Sequence, residues 1–345
     1  MSLRTATAPI TLEYVKTIGM TNNGSNGRGF ANPYALQVSK DGRIFVLNRC
    51  DHARKDAVRV GICNLDEEYL GEFGNGFGTG DENFGLPTDM AFDSLDRLHI
   101  TDEHLHRVTV FDASGTYLHK WGEFGSGDGQ LNGPSGIAFD SADNAYVVDQ
   151  HNNRVQKFTA DGGYLALWGE AGDGPGQFNL PWGITVDAND NVYVADWRND
   201  RIQKFSADGE FVATFGESGS GDGQLSRPAD VVVDGDGFVY VADWGNERVQ
   251  VFDPDGGFVL KLRGQATLSK WSKEFFASNP DEVRTRDMAN LLPDLPDHLR
   301  DPQNESSQTE PYFWGPVSVS LDAEGRLYVP ETNRHRFQVY RLSSA

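Results

Sequence analysis

The sequence predicts an all-β fold, a six-bladed propeller of four-stranded blades closed into a ring. Three observations carry this: a proline that recurs six times ahead of the same alternating apolar run, four strand-like stretches per recurrence, and one unpaired strand-like stretch near the N-terminus. The prolines are Pro33, Pro87, Pro134, Pro181, Pro228 and Pro316. Their separations are 54, 47, 47, 47 and 88 residues, so the last interval holds about 41 residues beyond the common period, in the segment 265–312.

Each repeat reads as four strands with period-2 apolar alternation, as in Asp89–Asp93, Arg97–Asp102, Arg107–Asp112 and Thr116–Gly122, separated by turn residues such as Ala113-Ser114-Gly115. The sixth repeat has three strands before the chain ends. TLEYVKTIG at Thr11–Gly19 matches the fourth strand of other repeats, such as YLALWG at Tyr164–Gly169, and is expected to complete blade six and close the ring. The expected organisation is therefore a single propeller domain over residues 1–345, with strand 11–19 in blade six. Deleting residues 1–19 is expected to destabilise it, because closure buries surface that an open array would have to cap.

The segment VDQHNNRVQKF at Val148–Phe158 recurs as ADWRNDRIQKF at Ala195–Phe205 and ADWGNERVQVF at Ala242–Phe252, a pattern that resembles NHL repeats. Within it, Arg154, Arg201 and Arg248 can pair with Asp149, Asp196 and Asp243 to pin the loop between second and third strands. A feature repeated this regularly serves the fold, so a functional site is sought where repeats differ.

Strand direction alternates within a blade, so the loops between second and third strands and the blade-to-blade connections share one face, here the top face, and the insertion 265–312 is expected there. Leu268, Trp271, Phe275 and Phe276 form an apolar stripe, and Asn279-Pro280-Asp281-Glu282 reads as an N-cap, a proline at the first helical position and first-turn acids. Two short helices are expected, followed by a loop over Pro293–Thr309. The insertion is a candidate lid.

The longest loop on the top face, NRCDHARKDAV at Asn48–Val58, gathers Arg49, Asp51, His52, Arg54 and Lys55. Other top-face positions expected to face the axis are Tyr34, Asp89, Glu103, His104, His151, Trp182, Trp197, Arg198, Asp230, Trp244 and Glu331, together a candidate ligand cavity. Tryptophans on repeats also fill the space between blades, and Trp182, which interrupts a run of smaller residues, is the one most suited to a site. Glu103, His104 and His151 are metal-ligand types, but no ligand spacing accompanies them, so a transition metal has no motif behind it and no cofactor is predicted.

The formal charge of −21, from 30 Lys and Arg against 51 Asp and Glu, repels phosphate backbones and anionic lipid surfaces, so neither nucleic acid nor membrane is an expected partner. The N-terminal MSLRTATAPITLEYV lacks the apolar stretch of a secretory signal and no run is long enough to span a bilayer, which points to the cytoplasm. Cys50 and Cys63 are too few for a disulfide framework.

Six such blades with NRCDHARKDAV in the first resemble the peptidyl-α-hydroxyglycine α-amidating lyases, whose corresponding segment has an Arg followed by Gly-Asp-His. Arg49, Asp51 and His52 match it. The resemblance implies an active-site role for Arg49, whose planar charged fork suits a carboxylate. That family holds catalytic zinc through histidines that follow the blade-opening prolines of three blades. Here the six residues in that place are Tyr34, Thr88, Ser135, Trp182, Ala229 and Val317, so the zinc mechanism is not expected.

Two functions therefore stand at this level. One is a binding scaffold that takes a protein segment or a small molecule, an anion among the candidates, in a central top-face cavity. The other is a lyase or hydrolase with Arg49 as anion clamp and His104, His151 or His52 as general base. The second requires Arg49, His104 and His151 to converge on one pocket.

Overall fold

The structure, a computed structural model, describes residues 10–20, 27–50 and 54–344. Six antiparallel four-stranded sheets stand around one axis. From the axis outward, blade one contains Pro33–Val38, Ile44–Asn48, Arg59–Cys63 and Tyr69–Phe73, and blade two Pro87–Phe92, Leu98–Asp102, Arg107–Phe111 and Tyr117–Trp121. Blade three contains Pro134–Phe139, Asn144–Asp149, Arg154–Thr159 and Tyr164–Trp168, and blade four Ile184–Val186, Val192–Asp196, Arg201–Phe205 and Phe211–Phe215. Blade five contains Pro228–Val233, Val239–Asp243, Arg248–Phe252 and Phe258–Leu262. Blade six takes Ser320–Leu321, Arg326–Glu331 and Arg336–Ser344 from the C-terminal end and Ile10–Gly19 as its outer strand. That last pairing runs from Ile10 opposite Ser344 to Gly19 opposite Arg336, with one register shift between Tyr14 and Lys16, and closes the ring.

Period-2 alternation explains why flat blades stack into a ring. In blade three Ala145 and Val147 join the core shared with blade two, while Tyr146 and Val148 join the core shared with blade four. The same division gives one buried apolar cluster at every blade-to-blade contact, the last being formed by Leu36, Ile44 and Val46 of blade one against Ile18, Tyr328, Phe337 and Val339 of blade six.

The expected Asp–Arg pins are present. Arg154 Nε donates to Asp149 at 2.7 Å, Arg201 to Asp196 at 2.9 Å and Arg248 to Asp243 at 2.7 Å. Each of these arginines also donates to three carbonyls of the preceding blade-to-blade connection, such as Ser220, Gly221 and Gln224 for Arg248, so one side chain ties a loop to the crossover before it. Blade six uses the same device with a longer acid, Glu331, bonded to Arg336 at 2.8 Å.

The insertion differs from its sequence reading in one respect. Helices α1 (Lys270–Ser278) and α2 (Pro280–Met288) form where expected, but a third, α3 (Pro302–Gln308), lies inside the segment expected to be a loop. Asp301 caps it by accepting from Asn304 N at 3.0 Å, and Pro302 occupies the first turn, the same acid-or-amide-then-proline signal that starts α2. Helix α1 packs beside the strand Ile10–Gly19, with Trp271 buried at 2% exposure, its indole donating to Glu67 O at 2.5 Å and its ring 5.7 Å from Phe30, while α3 reaches the second-to-third-strand loop of blade five, where Gln303 donates to Gly245 O at 2.5 Å. No helix among the described residues is long and apolar enough to cross a membrane.

Candidate functional site

Repeat register places equivalent positions in layers down the axis. The residues that follow the pinning acid, or Asn48 in its place in blade one, form the upper layer, Arg49, Glu103, Trp197, Trp244 and Thr332 among them. The residues after the blade-opening prolines come next, and beneath them lie Ala35, Asp89, Gly136, Gly183, Asp230 and Ser318. Because shared positions face the same way, whatever differs among blades is concentrated here.

Tyr34, Trp182, Trp197 and Trp244 line a cavity of about 370 Å³, together with Ala229, Val317, Gly315, Thr332 and Asn333. The rings form a chain, with centroids 6.3 Å apart from Tyr34 to Trp182, 6.4 Å from Trp182 to Trp197 and 6.3 Å from Trp197 to Trp244. The other tryptophans are employed elsewhere: Trp121 and Trp168 pack between blades against Phe158 and Phe205, and Trp314 carries the Arg334 guanidinium over its ring. Small residues at 229 and 317 in the layer where Trp182 sits are what leave the space open, and no residue of 265–312 is among those that line it.

The polar candidates divide into three groups. Arg49 donates to Glu103 at 2.7 Å and lies 4.7 Å over the Tyr34 ring, and His151 Nε2 is 3.7 Å from Glu103 Oε1, so Arg49, Glu103 and His151 meet beside the cavity. His104 does not join them: it is exposed and stacked on Phe77, with centroids 6.3 Å apart. The convergence required for Arg49, His104 and His151 to share one pocket is absent. Arg198 is exposed and lies 5.4 Å over Trp197 at the cavity edge, joined there by Arg227 at 5.3 Å. Glu331 does not face the axis, because it serves as the blade-six pin and is fully buried against Arg336 and Gln338. Asp51 and His52 lie outside the described residues.

Below the aromatic layer a small chamber is lined by Tyr34, Thr88, Trp182, Ala229 and Val317 from above and by Asp89, Asp230 and Ser318. Asp230 accepts from Val231 N at 2.9 Å and from Val319 N of blade six at 3.0 Å; Asp89 accepts from Met90 N at 2.8 Å and from Ile137 N of blade three at 3.0 Å. Each carboxylate thus bridges its own inner strand to the next. A glycine at 183 is required for this, since a Cβ there would lie 2.4 Å from Asp230 Oδ1. Burial, and for Asp89 also the negative charge of Asp230, pushes the Asp89 carboxyl well above the usual carboxylate range, and burial brings Asp230 up to about 6. Burial likewise keeps the proton on the Tyr34 hydroxyl.

The sequence reading missed Thr332, Asn333 and Gly315. The signal for Thr332 was available, because aligning ETNRHRF with ADWGNERVQVF puts it at the Trp244 position. Among the described residues no group of three or more His, Cys, Asp or Glu side chains is placed to hold a metal ion.

One further acid near the axis is set for a pH effect. Glu247 is 4% exposed, receives one hydrogen bond, from Gly315 N at 2.6 Å, and is pushed by burial to about 7. The unfolded chain ionises this group near its ordinary value while the folded chain holds the proton to about 7. Stability therefore falls as pH rises across that window, and the full cost is present above it. Glu247→Gln is expected to raise stability at pH 8 by on the order of 2 kcal/mol and to change it little at pH 4, read from urea unfolding at both pH values.

Comparison with known proteins agrees with the repeat reading. A family model described as the NHL repeat matches residues 131–158, 178–205 and 225–252, the inner to third strands of blades three, four and five. A search of curated protein sequences found no relative. Among solved structures, a protein of unknown function from Bacteroides thetaiotaomicron superposes with a TM-score of 0.63 at 18% identity, covering 97% of this chain and 76% of its own. An auxiliary nutrient binding protein from the same organism gives 0.60 at 10% identity over 97% of this chain and 77% of its own. Virginiamycin B lyase from Staphylococcus aureus gives 0.56 at 12% identity over 96% and 99%. At these identities the likeness is one of fold.

Proposed function

We propose that this NHL-repeat propeller is a binding protein that takes a small ligand into the aromatic-walled cavity at the head of its axis. The observation that carries this is the chain of Tyr34, Trp182, Trp197 and Trp244 around about 370 Å³ of space that the protein's own side chains leave unfilled. That volume and wall are those of a small-molecule site. Binding is favoured over acid–base catalysis because Arg49 is ion-paired with Glu103 and His104 is turned to Phe77, so that of His104 and His151 only His151 stays near Arg49.

The test is a small-molecule screen read by tryptophan fluorescence and thermal shift, repeated on Trp182→Ala. A true cavity ligand saturates the fluorescence change, raises the melting temperature of the wild type and loses roughly tenfold in affinity on Trp182→Ala, the scale of one aromatic contact. Ligands that bind both proteins equally would place the site elsewhere.

A further inference from the structure

Most strongly buried acids in this protein have a cation beside them. Asp149, Asp196, Asp243 and Glu331 each have an arginine, and Asp93 has Arg97. Asp102 and Glu247 lack one, as do Asp89 and Asp230: among the described residues none of the four forms an ion pair, and what Asp89 and Asp230 accept comes from neutral groups, backbone N–H and, on Asp230, the Ser318 hydroxyl. Asp89 and Asp230 belong to blades two and five, opposite one another in a ring of six, and they line a chamber that shares Tyr34, Trp182, Ala229 and Val317 with the aromatic cavity above. An uncompensated anionic floor thus lies directly under an aromatic wall.

The rings point the same way. Guanidinium groups lie over Tyr34, Trp197 and Trp314, whereas among the described residues no cation lies over Trp182 or Trp244. The face of an indole ring carries the negative lobe of its quadrupole and attracts cations, most strongly where water is excluded.

We infer that the cavity takes a small organic cation, an alkylammonium compound whose charged head lies against Trp182 and Trp244 above the Asp89 and Asp230 carboxylates. This rests on the cavity being the ligand site. A bare metal ion fits less well: it would require several oxygen ligands, and the cavity wall is chiefly aromatic and aliphatic. An anion would meet the floor carboxylates, and the nearby Arg49 is already paired with Glu103.

Proton linkage follows from the floor. The groups facing the two carboxylates are Tyr34 from blade one, which keeps its proton, Thr88 from blade two and Ser318 from blade six; the Arg49–Glu103 pair above is internally neutral. With Asp230 ionising at about 6 and Asp89 well above the usual range, the floor is largely neutral at pH 5 and carries charge at pH 7.5. An arriving cation favours the ionised forms, so binding tightens as pH rises through about 6 and releases a proton from the floor.

The experiment titrates the full chain, wild type and Trp182→Ala, with choline, its neutral carbon isostere 3,3-dimethylbutan-1-ol and the anion 3,3-dimethylbutanoate. Tryptophan fluorescence gives affinity at pH 5 and 7.5, and calorimetry in two buffers of different ionisation enthalpy gives proton release. The expected result is choline preferred over the alcohol by roughly tenfold at pH 7.5, severalfold weaker choline binding at pH 5, and release of a fraction of a proton. Asp230→Asn should remove the preference for charge; because that variant also alters an inter-blade bond, the choline-to-alcohol ratio on the wild type is the deciding number. Trp182-dependent binding of the alcohol or the anion as tightly as choline overturns the cation inference and leaves the cavity as the ligand site. No saturable, Trp182-dependent response to any of the three overturns both.

Discussion

Truncation to Met20, which removes the strand Ile10–Gly19, is expected to abolish cooperative unfolding of the monomer. The strand is hydrogen-bonded along its length to Arg336–Ser344 and contributes Ile18, fully buried, to the core between blades six and one. Tyr14 packs edge-on against Tyr340 at 5.8 Å, and its hydroxyl bonds to Thr267 of the insertion, so the same strand anchors α1 through that neighbourhood. Full burial of an aliphatic side chain contributes about 1.5–3 kcal/mol. Losing Ile18, the partial burial of Leu12, Tyr14 and Val15, and one row of ladder bonds approaches the whole stability of a typical domain, roughly 5–15 kcal/mol. The strand Arg336–Ser344 would also become an open edge available for aggregation. Thermal unfolding followed by far-ultraviolet circular dichroism checks this. A single sharp transition within a few degrees of the wild type would show that the ring does not depend on its closing strand, whereas partial recovery on adding a peptide of residues 10–19 would confirm that it does.

Arg248→Ala is expected to cost about 3–5 kcal/mol, the usual result of leaving a buried carboxylate without its partner. Asp243 is fully buried and Arg248 nearly so, and burial already raises the Asp243 carboxyl, opposed by hydrogen bonds from Ser226 N, Asn246 and Arg248. Removing the guanidinium also takes the side-chain donor from the carbonyls of Ser220 and Gly221 and one of two such donors from that of Gln224, which keeps Gln250. Arg248→Lys should recover only part of the loss, because an ammonium cannot span the carboxylate and three carbonyls at once. Urea unfolding of both variants measures the difference. A loss below about 1 kcal/mol would mean that the pin holds geometry without contributing to stability.

How legible each feature was depended on whether it repeats. The six-fold proline period, the alternating strands, the Asp–Arg pins and the closing strand were readable because each is written several times in one chain and a four-stranded blade is their common explanation. The helix α3 was readable in principle from Asp301-Pro302 but was masked by the Pro-rich, polar composition around it. Glu331 was misplaced because blade six substitutes glutamate where blades two to five have aspartate, and the substitution looked like a departure from the pattern when it was the pattern with one more methylene.

The sequence by itself determined the number of blades and the order of their strands, and so a set of positions near the axis, since period-2 alternation and a fixed repeat leave a strand no second way to bury its apolar side. Only the tertiary structure decided which of those axial positions share a space. Trp182 and Trp244 each come within 6.4 Å of Trp197, Arg49 pairs with Glu103, His104 stacks on Phe77, and Asp89 and Asp230 line one chamber. The physical reason is that repeats fix each blade locally, while contacts across the axis join residues from blades far apart in the chain, where size and charge at one position set the room and the field at another.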